Sequence, residues 1–134
     1  MKILFICKYN KLRSKIAECL FNYYNKNSTN EAKSAGIRID IVSPYMVERA
    51  KKLLEQRGVK VENANESSVL VNDYLIKWAD KIIIVADDVP SDIFPKDKIE
   101  RWDIEDVPDE NAKKISIKFV EIDDKVKELI ERIK

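Results

Sequence analysis

The sequence predicts a single α/β domain over residues 1–134, a three-layer sandwich whose central four- to five-stranded parallel sheet carries helices on both faces. Two observations predict this class. Short apolar runs at residues 3–6 and 82–85 have the length and β-branched character of buried strands. Amphipathic stretches with helical spacing follow such runs, so strands and helices alternate along the chain, which is typical of a parallel sheet. A chain of 134 residues can bury a core of this size as one domain.

The first three elements follow from apolar spacing. Residues 3–6 predict a buried strand, and residues 14–24 carry apolar side chains at the spacing of a helix face. A polar stretch of turn formers comes next. Residues 32–41 then predict a second strand that crosses a turn at Gly36.

The middle of the chain predicts a second helix with recognisable ends. Ser43 is a good N-cap residue and Pro44 is favoured at the first helical position, while Gly58 is a typical residue for the helix end. Residues 59–61 have the pattern of a short strand.

The remaining elements are predicted in the same way. Apolar spacing predicts a helix over residues 69–78, and a near-continuous β-branched run predicts a central strand over residues 81–86. A fifth strand is expected at residues 99–102, followed by an acidic loop at 103–114. Six apolar residues at helical spacing define the closing helix: Phe119, Ile122, Val126, Leu129, Ile130 and Ile133.

Composition excludes several classes of function. With 25 basic and 24 acidic residues, the net charge of +1 provides no basic surface for DNA or RNA, so we expect no nucleic-acid partner. No apolar run is long enough to span a bilayer and no signal-peptide pattern is present, so we expect no membrane association and a cytoplasmic location. The chain has two cysteines, Cys7 and Cys19, and no histidine, which argues against zinc or histidine metal sites, and we expect no cofactor.

The turn between the first strand and the first helix is the strongest candidate for a functional site. Backbone N–H groups in such a turn converge, and the helix N-terminus adds partial positive charge, so the turn can hold a phosphate without a metal. Cys7 lies at its mouth, where the same field favours the thiolate over the thiol. Arg13 opposes the helix dipole, so an anionic partner for its planar guanidinium makes physical sense. A free cysteine at a strand end is often only a buried apolar residue, but Arg13 and Ser14 at this spacing favour the functional interpretation.

The sequence Cys7-Lys8-Tyr9-Asn10-Lys11-Leu12-Arg13-Ser14 resembles the signature loop of the low-molecular-weight protein tyrosine phosphatases and their arsenate reductase relatives. Three further stretches resemble landmarks of that family in the same order, namely Ser34-Ala35-Gly36, Ala79-Asp80, and the acidic stretch from Trp102 to Asp106. The resemblance therefore extends over most of the chain.

The resemblance implies a metal-independent phosphomonoester hydrolase that acts through a phosphocysteine on Cys7. It implies that Arg13 and the amides of the loop bind phosphate, the loop residues being Lys8, Tyr9, Asn10, Lys11, Leu12, Arg13 and Ser14. It also implies that Asn10, Ser14, Ser34 and Asn65 support the loop, with Asn65 at the place of a family histidine that this chain lacks. Tyr9 replaces a usual glycine and Lys15 a usual proline.

The family's general acid is an aspartate of the acidic loop, and two residues match it. Asp106 matches by its distance from Trp102, although Val107 follows it where the family has proline. Asp109 matches the variant Val-Pro-Asp, because it follows Val107-Pro108. Asp106 is the favoured choice, and the other acidic side chains of the loop, Asp103, Glu105 and Glu110, are expected to be only solvated.

Three other functions stay open at this stage. Arsenate reduction uses the same loop, but the absence of cysteines near residues 82–94 leaves only a form that uses an external thiol. A phosphocarrier with a cysteine after its first strand would lack the counterpart of Arg13. A phosphate-binding module without turnover is the third. For the phosphatase, the expected partners are a phosphotyrosine protein or a small aryl phosphate, with inorganic phosphate as product or inhibitor.

Overall fold

The computed structural model describes residues 1–108 and 110–134, apart from the side chain of Ala64. Over the described residues, four parallel strands form one sheet in the order β2-β1-β3-β4. The strands are β1 (Lys2–Cys7), β2 (Glu31–Gly36), β3 (Lys81–Ile84) and β4 (Ile99–Arg101). The helices are α1 (Arg13–Tyr24), α2 (Glu48–Gln56), α3 (Asp73–Trp78) and α4 (Ala112–Arg132), with short 3₁₀ turns at Asn63–Asn65 and Lys96–Lys98.

The sheet separates two apolar layers, as the predicted α/β sandwich requires. Alternate residues of β1 point to opposite faces, with Ile3 and Phe5 on one face and Leu4 and Ile6 on the other, and all four are fully buried. Helices α1, α2 and α4 cover the first face, and α3 covers the second. Among the residues that the structure describes, no helix is both long and apolar enough to cross a membrane.

The start of the second helix differs from the sequence prediction. The second helix begins at Glu48 rather than at Ser43-Pro44, and its N-cap is Val47. The amide of Ser43 donates instead to Asp40 Oδ1 (3.2 Å), and Pro44 accepts a hydrogen bond from Ser68 N (2.9 Å). The segment is therefore held by a turn and by pairing with a distant loop, and both compete with helix formation.

The third helix and the strand count also differ. Val69 and Val71 hydrogen-bond the backbone of Gly36 at the end of β2 (2.8 and 2.9 Å), so α3 begins only after the Asn72 cap. Residues 59–61 form no strand within the described chain, because Val59 closes the end of α2 by donating to Leu54 O and is buried in the core. Over the part of the chain that the structure describes, the sheet therefore has four strands, the lower of the two numbers expected.

Candidate active site

Cys7 is the last residue of β1, at the carboxyl edge of the sheet, and only 2% of it is exposed. Residues 8–12 form the loop that joins it to α1, which begins at Arg13. No side chain of the described residues caps the start of α1. The N–H groups of the first turn, which have no intrahelical partners, therefore keep their partial positive charge next to the loop.

A cavity of about 230 Å³ opens over this loop. Its walls combine the cysteine, the arginine and one acidic candidate with apolar and aromatic rim residues. The lining residues are Cys7, Tyr9, Lys11, Leu12, Arg13, Asp40, Asp106, Val107 and Pro108. The topology has thus brought the loop after β1, the loop after β2 and the acidic loop to one place, as expected for a ligand site at the carboxyl ends of parallel strands.

Arg13 is held in place by acceptors from two loops and is 3% exposed. Its Nη1 donates to Asp88 Oδ1 and to the carbonyl oxygen of Ile104, both at 3.0 Å. Asp87 Oδ1 lies 3.8 Å from Nη1, and Asp106 Oδ1 lies 3.7 Å from Nη2. The planar guanidinium is therefore oriented before any anion arrives, which reduces the entropy cost of binding.

Asn10 organises the loop from within. It is fully buried and has a left-handed backbone conformation with φ of 54°, which asparagine tolerates better than most residues. Its Nδ2 donates to Ser14 Oγ (2.7 Å) and to Ser34 Oγ (3.0 Å). Its Oδ1 accepts from the backbone N–H of Val69 (2.9 Å).

The contact that the resemblance assigned to Asn65 is made elsewhere. Asn65 lies in the 3₁₀ turn, and its backbone N–H donates to the carbonyl oxygen of Glu62. Among the described residues, no hydrogen bond joins Asn65 to Asn10. Ser68 Oγ donates to the backbone carbonyl of Asn10 (3.1 Å), and the backbone N–H of Val69 donates to the side chain of Asn10. A backbone N–H thus substitutes for the expected side chain, which sequence alone cannot reveal.

Ser14 Oγ lies 2.9 Å from Cys7 Sγ, and both atoms are buried. The hydroxyl is therefore placed to stabilise a negative charge on the sulfur. Lys11 Nζ bonds Asp40 Oδ2 (2.8 Å) at the cavity wall. Tyr9 forms the rim at 38% exposure, with Lys8 Nζ 5.5 Å from its ring centroid.

The structure shows why residue 36, at the edge of the site, is glycine. A Cβ at this position would lie 2.8 Å from Asn10 N and from the carbonyl carbon of Tyr9. The end of β2 and the loop at residues 8–12 are therefore in backbone contact, which only glycine permits. The hydrogen bond from Arg38 N to Lys8 O (2.9 Å) continues this contact.

The amino-acid sequence matches the model of the low molecular weight phosphotyrosine protein phosphatases over residues 2–134. The chain belongs to this phosphatase family. It is similar to an arsenate reductase from Archaeoglobus fulgidus DSM 4304, with 31% identity over 96% of this chain and 98% of that one and a TM-score of 0.78. No match was found among curated proteins.

Two further solved structures have the same fold as this chain and lower sequence identity to it. A low molecular weight protein tyrosine phosphatase from T. tengcongensis has 24% identity over 98% of this chain and 99% of that one, with a TM-score of 0.84. The YwlE arginine phosphatase from Geobacillus stearothermophilus has 23% identity over 98% of this chain and 92% of that one, with a TM-score of 0.83.

The acidic loop of this phosphatase-family chain offers one described candidate for the general acid. Asp106 lines the cavity and its side chain is 60% exposed. Asp109, the second candidate, lies outside the described residues. Asp103 pairs with Arg101 (3.0 Å), away from the cavity lining, and Glu105 and Glu110 are exposed.

Three charged groups near the site were missed by sequence reasoning. Asp88 orients Arg13, and the only signal was a pair of aspartates after the central strand. Lys15, in the first turn of α1, and Glu18, in the second, are buried at 2% and 8% exposure. Burial raises the pKa of Glu18, although the hydrogen bond from Ser34 and the positive charge of Lys15 act to lower that pKa. Burial likewise lowers the pKa of Lys15, against the negative charge of Glu18.

Cys19 differs from Cys7 in its surroundings. It lies within α1 in the main core cluster and is 4% exposed. Desolvation, reinforced by Glu18, raises the pKa of its thiol to about 12. Cys19 is therefore protonated at neutral pH, and its role is packing.

Proposed function

We propose that the protein is a metal-independent phosphomonoesterase of the tyrosine phosphatase type, with Cys7 as its nucleophile. The observation that carries the proposal is the position of Cys7 Sγ at the cavity, 2.9 Å from Ser14 Oγ and beside the pre-oriented Arg13. The substrate class is a phosphotyrosine protein or a small aryl phosphate.

The first chemical step transfers the phosphoryl group to sulfur. Arg13 and the loop amides hold the three non-bridging oxygens, which carry the charge of the transition state. The Cys7 thiolate attacks phosphorus while the bond to the leaving oxygen breaks. Asp106 donates a proton to that oxygen, so the product leaves as a neutral alcohol or phenol.

The second step hydrolyses the phosphocysteine. Asp106, now ionised, accepts a proton from a water molecule, and that water attacks phosphorus. The bond between sulfur and phosphorus breaks, inorganic phosphate is released, and Cys7 is again a thiolate held by Ser14. The chain has no histidine, so activation of the nucleophile depends on backbone dipoles, Arg13 and Ser14.

Initial-rate hydrolysis of p-nitrophenyl phosphate in excess EDTA tests the proposal. Cys7→Ser should reduce the rate by more than about a thousandfold, and Cys19→Ser, the matched control, should leave it within about twofold. Asp106→Asn and Asp109→Asn, compared side by side, identify the acid. A wild-type protein that binds phosphate without turnover, or a Cys7→Ser variant that retains activity, would refute the phosphatase.

Arsenate reduction is the second candidate, and the 31% identity to the arsenate reductase from Archaeoglobus fulgidus favours it. Cys7 would displace water from arsenate to form a bond between sulfur and arsenic. An external thiol would then attack the sulfur of Cys7, so that the bond between sulfur and arsenic breaks and arsenite leaves with its electron pair. A second external thiol would reduce the mixed disulfide on Cys7, which frees Cys7 and releases the two thiols as a disulfide. Buried Cys19 is not placed to act as the resolving thiol. Formation of arsenite with added thiols, without hydrolysis of p-nitrophenyl phosphate, would support this function instead.

A further inference from the structure

Arg101, the last residue of β4, donates hydrogen bonds to the loop that follows the neighbouring strand β3. Its Nη1 donates to the carbonyl oxygen of Val89 (2.6 Å) and to Ser91 Oγ (2.8 Å), and its Nη2 donates to the carbonyl oxygen of Ala86 (3.0 Å). Its Nε donates to Asp103 Oδ1 (3.0 Å). One guanidinium therefore joins the loop after β3 to the start of the acidic loop.

The two carbonyl groups that accept from this guanidinium lie on either side of the Asp87-Asp88 pair. One belongs to the residue before the pair and the other to the residue after it, and both of these residues are buried. Asp88 Oδ1 accepts from Arg13 Nη1 at 3.0 Å, and Asp87 Oδ1 lies 3.8 Å from the same nitrogen. Arg101 thus fixes the backbone at both ends of the short segment whose carboxylates face Arg13.

The segment depends on such contacts because residues 86–91 belong to no helix or strand. The backbone N–H of Asp87 donates to the carbonyl oxygen of Ile104 (3.1 Å), and the same oxygen accepts from Arg13 Nη1 (3.0 Å). The position of the two aspartates relative to Arg13 therefore depends on this carbonyl and on the bonds from Arg101.

The bonds from Arg101 use the planar fork of arginine. Its two terminal nitrogens reach three acceptors in the loop while Nε is held by Asp103. A lysine ammonium carries the same charge on a single nitrogen, so it cannot span the carbonyl groups on both sides of the aspartate pair. Geometry and charge can thus be separated by substitution at this position.

We propose that Arg101 is a positioning residue that holds the Asp87-Asp88 segment against Arg13 and so keeps the guanidinium of Arg13 oriented for phosphate. The inference rests on the proposed role of Arg13 in phosphate binding. Arg101 is not among the residues that line the cavity, so it acts through the loop after β3 and not on the bound anion.

The test measures the Kd of inorganic phosphate by isothermal titration calorimetry, together with the melting temperature of each variant. Arg101→Lys and Arg101→Met should each raise the Kd about fivefold, because the side chain of Arg13 must then be ordered as the anion binds. Arg101→Lys retains the positive charge, so its effect reports the lost geometry. Phosphate binding needs no turnover, so the result does not depend on whether phosphatase activity is found.

Arg132→Met is the matched control. Arg132 makes two hydrogen bonds to the carboxylate of Glu100 (3.0 and 2.8 Å), and neither residue lines the cavity. This variant should lower the melting temperature and leave the Kd of phosphate within about twofold of wild type.

A double-mutant cycle with Asp88→Ala tests the route of the effect. Without a carboxylate at position 88, there is less for Arg101 to position. Adding Arg101→Lys to Asp88→Ala should therefore change the Kd by less than about twofold, whatever effect Asp88→Ala has alone.

A wild-type Kd in a folded Arg101→Lys would overturn the proposal, and so would an undiminished effect of Arg101→Lys in the Asp88→Ala background. A fivefold rise in Arg132→Met would also overturn it, since phosphate binding would then follow stability alone. These three outcomes leave the proposed function standing. Wild-type protein that binds no phosphate would instead refute the proposed function, and the inference with it.

Ser91→Ala combined with Asp103→Ala decides the question if neither Arg101 variant folds. The pair removes the two side chains that hold the fork of Arg101, and both are partly exposed, so the fold should tolerate their loss. It should raise the Kd of phosphate about threefold, and an unchanged Kd would overturn the proposal.

Discussion

Asp106 Oδ1 lies 3.7 Å from Arg13 Nη2, so the candidate acid and the guanidinium that we propose binds phosphate face each other at the cavity. In the proposed mechanism, a phosphoryl group bound by Arg13 would therefore lie close to the carboxyl that we propose protonates its leaving oxygen. The separation is slightly longer than a hydrogen bond, which leaves Asp106 able to turn to the substrate.

This geometry makes the effect of Asp106 dependent on the leaving group. Asp106→Asn should slow hydrolysis of phenyl phosphate by roughly a hundredfold, because phenoxide needs a proton as it departs. The loss with p-nitrophenyl phosphate should be smaller, since that leaving group is stable as an anion. Comparison of kcat for both substrates measures this, and the same pattern in Asp109→Asn alone would instead assign the acid to Asp109.

Gly36→Ala should displace the loop at residues 8–12. The new methyl group would lie 2.8 Å from backbone atoms of Asn10 and Tyr9, which cannot rotate away. We expect a loss of about 2 kcal/mol in the free energy of unfolding and a large loss of kcat. Urea unfolding and p-nitrophenyl phosphate hydrolysis measure the two effects.

Gly58→Ala is the control for Gly36. Gly58 has φ of 90° at the end of α2, so alanine there is strained but meets only the Tyr23 hydroxyl, at 3.8 Å. It should cost about 1 kcal/mol of stability and leave kcat unchanged. Equal losses of kcat in both variants would mean that Gly36 acts through stability alone.

Substitution of Asn10 should lower kcat/KM far more than substitution of Asn65. Asn10→Ala removes three hydrogen bonds that shape the loop and should lower kcat/KM by more than about tenfold. Asn65→Ala removes no bond to the loop and should stay within about twofold of wild type. A tenfold loss in Asn65→Ala would restore the role that the family resemblance assigned to it.

Glu100 should contribute to stability in a pH-dependent way. Burial opposes its ionisation, but hydrogen bonds from Arg132, Lys81 and Trp102 prevail and lower its pKa to about 2 from an ordinary value of 4.5. A lowered pKa in the folded state means that the contribution is present above pH 4.5 and is lost as the pH falls towards 2.

Glu100→Gln should therefore cost about 1 kcal/mol at neutral pH and progressively less in acid. Urea unfolding at a series of pH values measures this. Asp124→Asn, an exposed carboxylate on α4, is the control and should show little effect at any pH. A constant difference between Glu100→Gln and wild type down to the lowest pH would contradict the interpretation.

The strand at residues 3–6 and the helix from 14 were predictable, because apolar periodicity and burial agree there. The starts of α2 and α3 were not, because residues 43–47 and 69–71 bond distant backbone groups and forgo their helical tendency. Asp88 and Glu18 were equally hidden, since their contacts with Arg13 and Ser34 exist only in the folded chain.

The contacts of the loop at residues 8–12 also define how it can unfold. Its anchors come from α1, the end of β2 and the segment at residues 68–69, and its first residue follows strand β1, which is buried except for Lys2. Opening the loop therefore requires breaking contacts with each of these segments at once. In native-state hydrogen exchange, the amide protons that take part in these contacts should exchange only through global unfolding, with the same protection as β1. The anion site would then be lost in the same cooperative step as the fold itself.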